Sequence, residues 1–161
     1  MPNYDTATLA GPKNVVVIGS AGCGKSALVQ RAVANTFGQE YLQTFGAEFC
    51  VKTATDSKKG SLNIWCCGGH ERYRALLEQF FVNAHVCTPS FLELPFWYNE
   101  YKRYGNSGIE NSPDATAILV GTKVRAGTKK AREWGMEFKA VSAKTGMNVI
   151  ELFDRLFQEA A

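Results

Sequence analysis

The stretch Asn14-Val-Val-Val-Ile-Gly19-Ser-Ala-Gly-Cys-Gly-Lys-Ser26 decides how this chain is read. Its first half is a short β-branched run closed by Gly19, the pattern of a buried strand. Its second half satisfies G-x(4)-G-K-[ST]. Lys25 to Phe37 follows, with Leu28, Val29, Ala32, Val33 and Phe37 near the helical period. Strand, Gly-rich turn and helix together are the setting in which such a loop holds phosphate. Glycines let backbone amides turn inward around an anion, and the helix N-terminus adds partial positive charge. The phosphate-binding candidates are Gly19, Ala21, Gly22, Cys23, Gly24, Lys25 and Ser26. Lys25 can bridge terminal phosphates, and the Ser26 hydroxyl can ligate Mg²⁺. A chance Gly-rich turn before a helix is the bland alternative.

Outward from this loop, strands and helices alternate. Glu48 to Thr55 alternates Phe49, Val51 and Thr53, and Lys58, Lys59 and Gly60 turn the chain into a second run, Ser61 to Cys66. The pair reads as an antiparallel hairpin. Tyr73 to Asn83 reads as a helix with Leu76, Leu77, Phe80 and Phe81 inward, and Phe96 to Tyr104 as a short aromatic-rich one. Ala117 to Gly121 and Glu137 to Val141 read as strands. Val149 to Gln158 reads as an amphipathic helix through Val149, Leu152, Phe153, Leu156 and Phe157. The expected fold class is α/β, mostly parallel with one antiparallel hairpin. The expected organisation is one domain over residues 1–161, with residues 1–12 a disordered arm.

Composition narrows the function classes. The chain has 161 residues, 45% hydrophobic and 20% charged, as in ordinary soluble domains. A net charge of +3 is too small to argue for nucleic acid or an anionic membrane. Lys58-Lys59 and Lys129-Lys130 read as solvated loop charge. No apolar run reaches the roughly 18 residues of a membrane span, and the first thirteen residues lack a signal-peptide pattern, so the cytoplasm is the expected compartment. Five cysteines favour free thiols over a disulfide framework. Cys66-Cys67 is a vicinal pair without a second pair at zinc spacing. As free thiols, Cys66, Cys67 and Cys87 are expected to add an oxidation risk.

Several further segments, with the loop, carry a resemblance to the Ras superfamily and its Rab branch. Phe37-x(3)-Tyr41-x(2)-Thr44-Phe-Gly-Ala-Glu-Phe49 resembles switch I. Ile64-Trp65 followed by Gly69-His-Glu-Arg-Tyr-Arg74 resembles switch II of a Rab. Leu119-Val-Gly-Thr-Lys123 and Val141-Ser-Ala-Lys-Thr-Gly-Met-Asn-Val149 resemble the two base-binding loops. The resemblance implies a P-loop small G domain that binds GTP or GDP with Mg²⁺ and acts in vesicle traffic. It implies that Ser26 and Thr44 are Mg²⁺ ligands and that the Gly69 N–H meets the γ-phosphate. Phe37, Thr122, Lys123, Ser142, Ala143 and Lys144 would surround the base. Phe49, Trp65 and Phe80 match the aromatic trio that Rabs display to effectors, and exchange proteins would act through the same switch regions. For each aromatic taken alone, core packing is the plainer explanation.

Departures from the family pattern change the chemistry. The Asp of D-x-x-G, which holds a Mg²⁺-bound water, is Cys66 here, and a neutral thiol suits a hard cation poorly. The Gln that orients the attacking water is His70, the second catalytic candidate beside Gly69. N-K-x-D appears as Thr122-Lys123-Val124-Arg125, and Arg125 has no acceptor for the guanine N–H groups. Ala84 to Pro95 leaves the central fourth strand truncated, and Ala126 to Gly135 leaves little room for a complete helix. The chain stops at Gln158-Glu-Ala-Ala161 without a terminal Cys, so no direct membrane anchor is expected; endomembrane association follows only from the family. Three readings stay open: the first two are a nucleotide switch with weakened binding and slow hydrolysis, and a pseudo-GTPase that serves as a protein-interaction module. A base-indifferent nucleotide binder is the third.

Overall fold

A computed structural model describes residues 11–40, 42–55, 60–80, 93–105, 117–121 and 124–158. Strand β1 (Lys13–Val17) leads through the phosphate loop into helix α1 (Lys25–Ala34). β2 (Ala47–Thr53) and β3 (Ser61–Cys67) follow. A 3₁₀ helix (Glu71–Leu76) runs into the short α2 (Leu77–Phe80), and α3 (Leu94–Gly105) comes next. β4 (Ile118–Gly121), α4 (Val124–Glu133), β5 (Glu137–Ala140) and α5 (Val149–Gln158) complete the order.

The valine run makes β1 a two-sided strand. Val15 and Val17 join the core under α1 and α5, while Val16 and Ile18 join the opposite core against α2 and α3. All four are at most 1% exposed. Burial on both faces explains why the run is continuous rather than alternating. β1 pairs parallel with β3, and β3 pairs antiparallel with β2, so the expected hairpin is present. Val17 lies opposite Cys66. That register sets the end of β3 beside the start of the phosphate loop.

β4 and β5 form a parallel pair. Ile118 and Val120 enter the same core as Val15 and Val17, and Leu119 packs on Leu94 of α3 and Ala131 of α4. Helices therefore cover both faces, as in doubly wound α/β folds. The segment Ala84 to Pro95, where a truncated central strand was expected, lies outside the described set up to residue 92, and Leu94 and Pro95 open α3; Phe81 and the expected arm up to residue 10 also lie outside it.

Three expectations change. α1 ends at Ala34 rather than Phe37, because Asn35 turns left-handed (φ 54°) and its N–H caps Arg31 O. The helix expected from Tyr73 begins as a 3₁₀ turn at Glu71. The third correction is the largest: a complete ten-residue α4 exists where little room was expected. It starts at Val124, inside the segment read as a base-reading motif, and it ends in a Schellman turn. Gly135 at φ 64° allows Gly135 N–H to bond Arg132 O and Met136 N–H to bond Ala131 O at 2.9 Å. Lys129 and Lys130 belong to this helix rather than a loop, and Lys130 pairs with Glu133 at 2.7 Å.

α4 approaches β5 closely because Gly127 has no side chain. A Cβ there would stand 2.2 Å from Phe138 Cε2. Gly127→Ala gains helix propensity of just under ~1 kcal/mol but forces an overpacked contact worth about 1–3 kcal/mol. The expected net result is a melting temperature several degrees lower. A melt unchanged or raised would show that Phe138 moves aside freely.

Candidate functional site

The phosphate loop is closed around its own lysine. Lys25 is 6% exposed, and its ammonium donates to Gly19 O at 2.9 Å and Ser20 O at 2.8 Å. Cys23 Sγ lies 3.8 Å away. Gly24 takes φ 94° as the N-cap of α1, a left-handed conformation that turns the loop into the helix. The lysine head is thus fixed by backbone carbonyls of its own loop.

Three side chains meet at the mouth of this loop. Ser26 Oγ is 2.7 Å from Thr44 Oγ1 and 3.4 Å from Cys66 Sγ. The two hydroxyls converge as a divalent cation would require, and both are oxygen donors suited to Mg²⁺. Cys66 is not such a donor. Desolvation pushes its thiol up to about 11, so it is neutral at physiological pH. The chemistry of Ser26 and Thr44 fits Mg²⁺, which these two hydroxyls would hold together with phosphate oxygens, while the position at which the family carries a carboxylate is the Cys66 thiol.

Cys67, pushed up to about 12 by burial and by Cys66, points to the opposite core. The vicinal thiols therefore face opposite sides of β3 and cannot act as one chelating pair. The oxidation risk expected of them is corrected too. Burial and raised pKa values argue the reverse, since the thiolate is the reactive form; Cys87 lies outside the described residues. Alkylation of native protein at pH 8 is expected to label the half-buried Cys23 roughly 100-fold or more faster than Cys66 and Cys67. Peptide mapping of the labelled sites checks this, and equal rates would show that β3 opens readily.

The segments resembling the two switches are clasped. Gly68 N–H donates to Gly46 O at 2.7 Å. Gly69 lies so tightly on the loop that a Cβ would be 2.3 Å from Ala21 N and Ser20 C. His70 is exposed, lines the mouth of the cavity and caps the 3₁₀ helix, its Nδ1 accepting from Arg72 N–H at 3.4 Å. A cavity of about 790 Å³ runs from Gly22, Lys25 and Ser26 past Gln30 to Thr44 and Cys50.

Phe49 and Trp65 rings are 4.7 Å apart, and Trp65 and Phe80 rings 4.9 Å apart. The trio separated by sequence is one contiguous patch, and Phe49 remains 50% exposed. Of the base-region candidates, Ser142, Ala143 and Lys144 form a tight turn, with Gly146 N–H on Ser142 O at 2.7 Å and Thr145 N–H on Ser142 Oγ at 3.2 Å. Phe37 is half-buried just beyond α1. Thr122 and Lys123 lie outside the described residues.

Sequence reasoning missed Arg31, Ser20, Glu93 and Trp97. Arg31 pins the base-region turn to α1, donating to Ala143 O at 2.7 Å and Lys144 O at 2.9 Å. Ser20 Oγ donates to Glu93 Oε2 and accepts from Trp97 Nε1 at 3.2 Å. The partners are 73 to 113 residues apart, and no local spacing signals them.

Comparison with protein-family profiles matches the Ras family over residues 14–161. The chain belongs to the Ras family. Among relatives, Ras-related protein Rab-15 of Bos taurus is 29% identical over 161 aligned positions, covering 88% of this chain and 73% of the relative. Rab-15 of Homo sapiens shows the same identity and coverage. Ras-related protein RabC of Dictyostelium discoideum is 29% identical, covering 90% of this chain and 82% of its own length. The chain is thus a divergent Rab-like small GTPase domain with a P-loop. Ras-family domains generally use Mg²⁺ with guanine nucleotide and work through effector and exchange proteins. No helix among the described residues is long and apolar enough to cross a membrane.

Proposed function

We propose that this Rab-like domain is a nucleotide-dependent switch in vesicle traffic that holds GTP or GDP with reduced affinity and turns it over slowly. The observation that carries the reading is the contrast at the loop mouth. The buried, carbonyl-anchored Lys25 and the paired Ser26 and Thr44 hydroxyls keep the groups that phosphate and a metal would need. The neutral Cys66 thiol replaces the family's carboxylate.

In this reading, Gly19 to Ser26 hold the phosphates, and Ser26 and Thr44 hold Mg²⁺, which when bound neutralises phosphate charge. The turn at Ser142, Ala143 and Lys144 faces the base, with Phe37 at its edge. Losing an outer partner of a metal typically costs roughly 10–100-fold in metal affinity, and that loss falls on the Cys66 corner.

Base selectivity is expected to be poor. Guanine N1–H and N2–H need acceptors, the family pattern supplies them at position 125, and an arginine has only donors. Buried unpaired donors cost about 1–3 kcal/mol each. GDP is expected to outcompete ADP by far less than the roughly 10⁴-fold that a hydrogen-bonding site reaches. Competition titration measures the ratio, and Thr122→Asn with Arg125→Asp is expected to raise it. A strongly guanine-selective parent would show that another group reads the base. Chromatography of the nucleotide released from purified, denatured protein tests the reading as a whole. Empty protein that also fails to load would leave the interaction-module reading.

That second reading has its own observation. Phe49 and Trp65 are direct partners in the β2–β3 register, and Phe80 packs on Trp65 from α2. Strand pairing and ring contacts assemble this patch without using any residue of the phosphate loop, so a partner surface can exist without nucleotide cycling.

A further inference from the structure

Ser20, the second residue of the phosphate loop, serves two opposite charges. Its carbonyl accepts from the Lys25 ammonium at 2.8 Å, and its hydroxyl donates to the Glu93 carboxylate. The same hydroxyl accepts from Trp97 Nε1 at 3.2 Å, and Trp97 is 1% exposed. Glu93 immediately precedes α3 and is itself exposed. The hydroxyl is therefore oriented by a buried indole and directs its one proton at an anion. Ser20 stands inside a loop whose ligands are anions.

A carboxylate tied to a phosphate loop works against the loop's electrostatics. The inward amides, the α1 N-terminus and Lys25 all favour negative charge. Glu93 opposes it from its place on the Ser20 hydroxyl, and its penalty must grow with the charge of what is bound. We propose that Glu93, positioned through Ser20 and Trp97, is a charge-discriminating residue that weakens binding of the triphosphate more than of the diphosphate. This deepens the nucleotide-switch reading and rests on it. A second consequence concerns the neighbouring switch. The Arg74 guanidinium lies 4.0 Å from the Phe96 ring centre and 6.0 Å from that of Trp97. The side chain that orients Ser20 thus also lies near Arg74, in the segment after His70.

A purely structural brace predicts a different outcome. If Glu93 only holds α3 to the loop, removing it alters all nucleotides by one common factor. If its charge acts, the effect is graded by phosphate number and screened by salt.

The experiment measures dissociation constants of GMP, GDP and a non-hydrolysable GTP analogue for parent, Glu93→Gln, Ser20→Ala and Ser20→Ala/Glu93→Gln, each Glu93→Gln form against its Glu93 counterpart. At about 20 mM salt, Glu93→Gln is expected to tighten the triphosphate by roughly three- to tenfold and GDP by roughly two- to threefold, with GMP least affected. The gradient is expected to shrink at about 500 mM salt and to be smaller in the Ser20→Ala background. An equal factor for all three nucleotides, a weakening, or salt-independence overturns the proposal while leaving the nucleotide reading intact. Binding only by Glu93→Gln supports the proposal and overturns the switch reading for the native chain. No binding by either overturns both.

Discussion

Lys25→Ala is expected to lower nucleotide affinity by about 100-fold or more while the fold persists. A charge-assisted hydrogen bond contributes roughly 1.5–3 kcal/mol, and about 1.4 kcal/mol is a factor of ten. Two such contacts with terminal phosphates account for the expected loss. The fold should tolerate the change because, among the described residues, the ammonium is bonded to Gly19 O, Ser20 O and weakly to Cys23 Sγ, beside a cavity large enough to admit water. Val15 to Ile18 and α5, which carry the core, do not depend on it. Lys25→Met keeps the apolar stem and separates lost packing from lost charge. An equilibrium titration with fluorescent GDP and a thermal melt measure both quantities. Equal binding by parent and Lys25→Ala would remove the phosphate-loop assignment. A collapsed melt in both variants would instead make Lys25 a structural residue.

Much of this site was readable because its signals are local. The loop spacing, the valine run and the period of Val149 to Gln158 each lie within a dozen residues, and the structure places those elements with boundaries shifted little or not at all. α4 was not readable for a physical reason. Gly127 is a poor helix former, and the motif reading of Thr122 to Arg125 made its first turn look like a loop. The structure resolves this by packing: Ala131 joins the Leu94 and Leu119 core, and Gly127 lets Phe138 approach.

The oxidation risk assigned to Cys66 and Cys67 fails in the same way, since burial on opposite faces of one strand cannot be seen in a dipeptide. The positioning contacts were least visible. Arg31 holds Ala143 across 112 residues, and Ser20 holds Glu93 across 73. Arg31 stands on a helix whose pattern predicted only its buried side. Serine at the second loop position has no local signature at all.

Restoring Cys66→Asp together with His70→Gln is expected to speed single-turnover hydrolysis on the order of tenfold or more. The two changes act on different requirements. The carboxylate introduced by Cys66→Asp restores a hard acceptor beside Ser26 Oγ, which now lies 3.4 Å from the Cys66 sulfur. A glutamine at position 70 supplies a flexible amide in place of an imidazole whose Nδ1 is already taken by Arg72 N–H. Each single change is expected to help less, because metal order and water placement are needed together in the transition state.

The Cys66→Asp change also carries a stability signature. Cys66 is 1% exposed and part of the apolar core under α1 and α5. A carboxylate there without a cation loses solvation, at a cost of about 1–3 kcal/mol or more. The ligand-free variant is therefore expected to melt below the parent. Loading with nucleotide and Mg²⁺ stabilises by binding the native state alone, and the variant should gain more from loading than the parent does. Phosphate release from preloaded protein and paired melts with and without Mg²⁺ measure the two effects. A double variant no faster than the parent, with equal stabilisation on loading, would place the defect elsewhere than at Cys66 and His70. The segment of residues 81–92 and the base loop at Thr122 and Lys123 would then be the next positions to change.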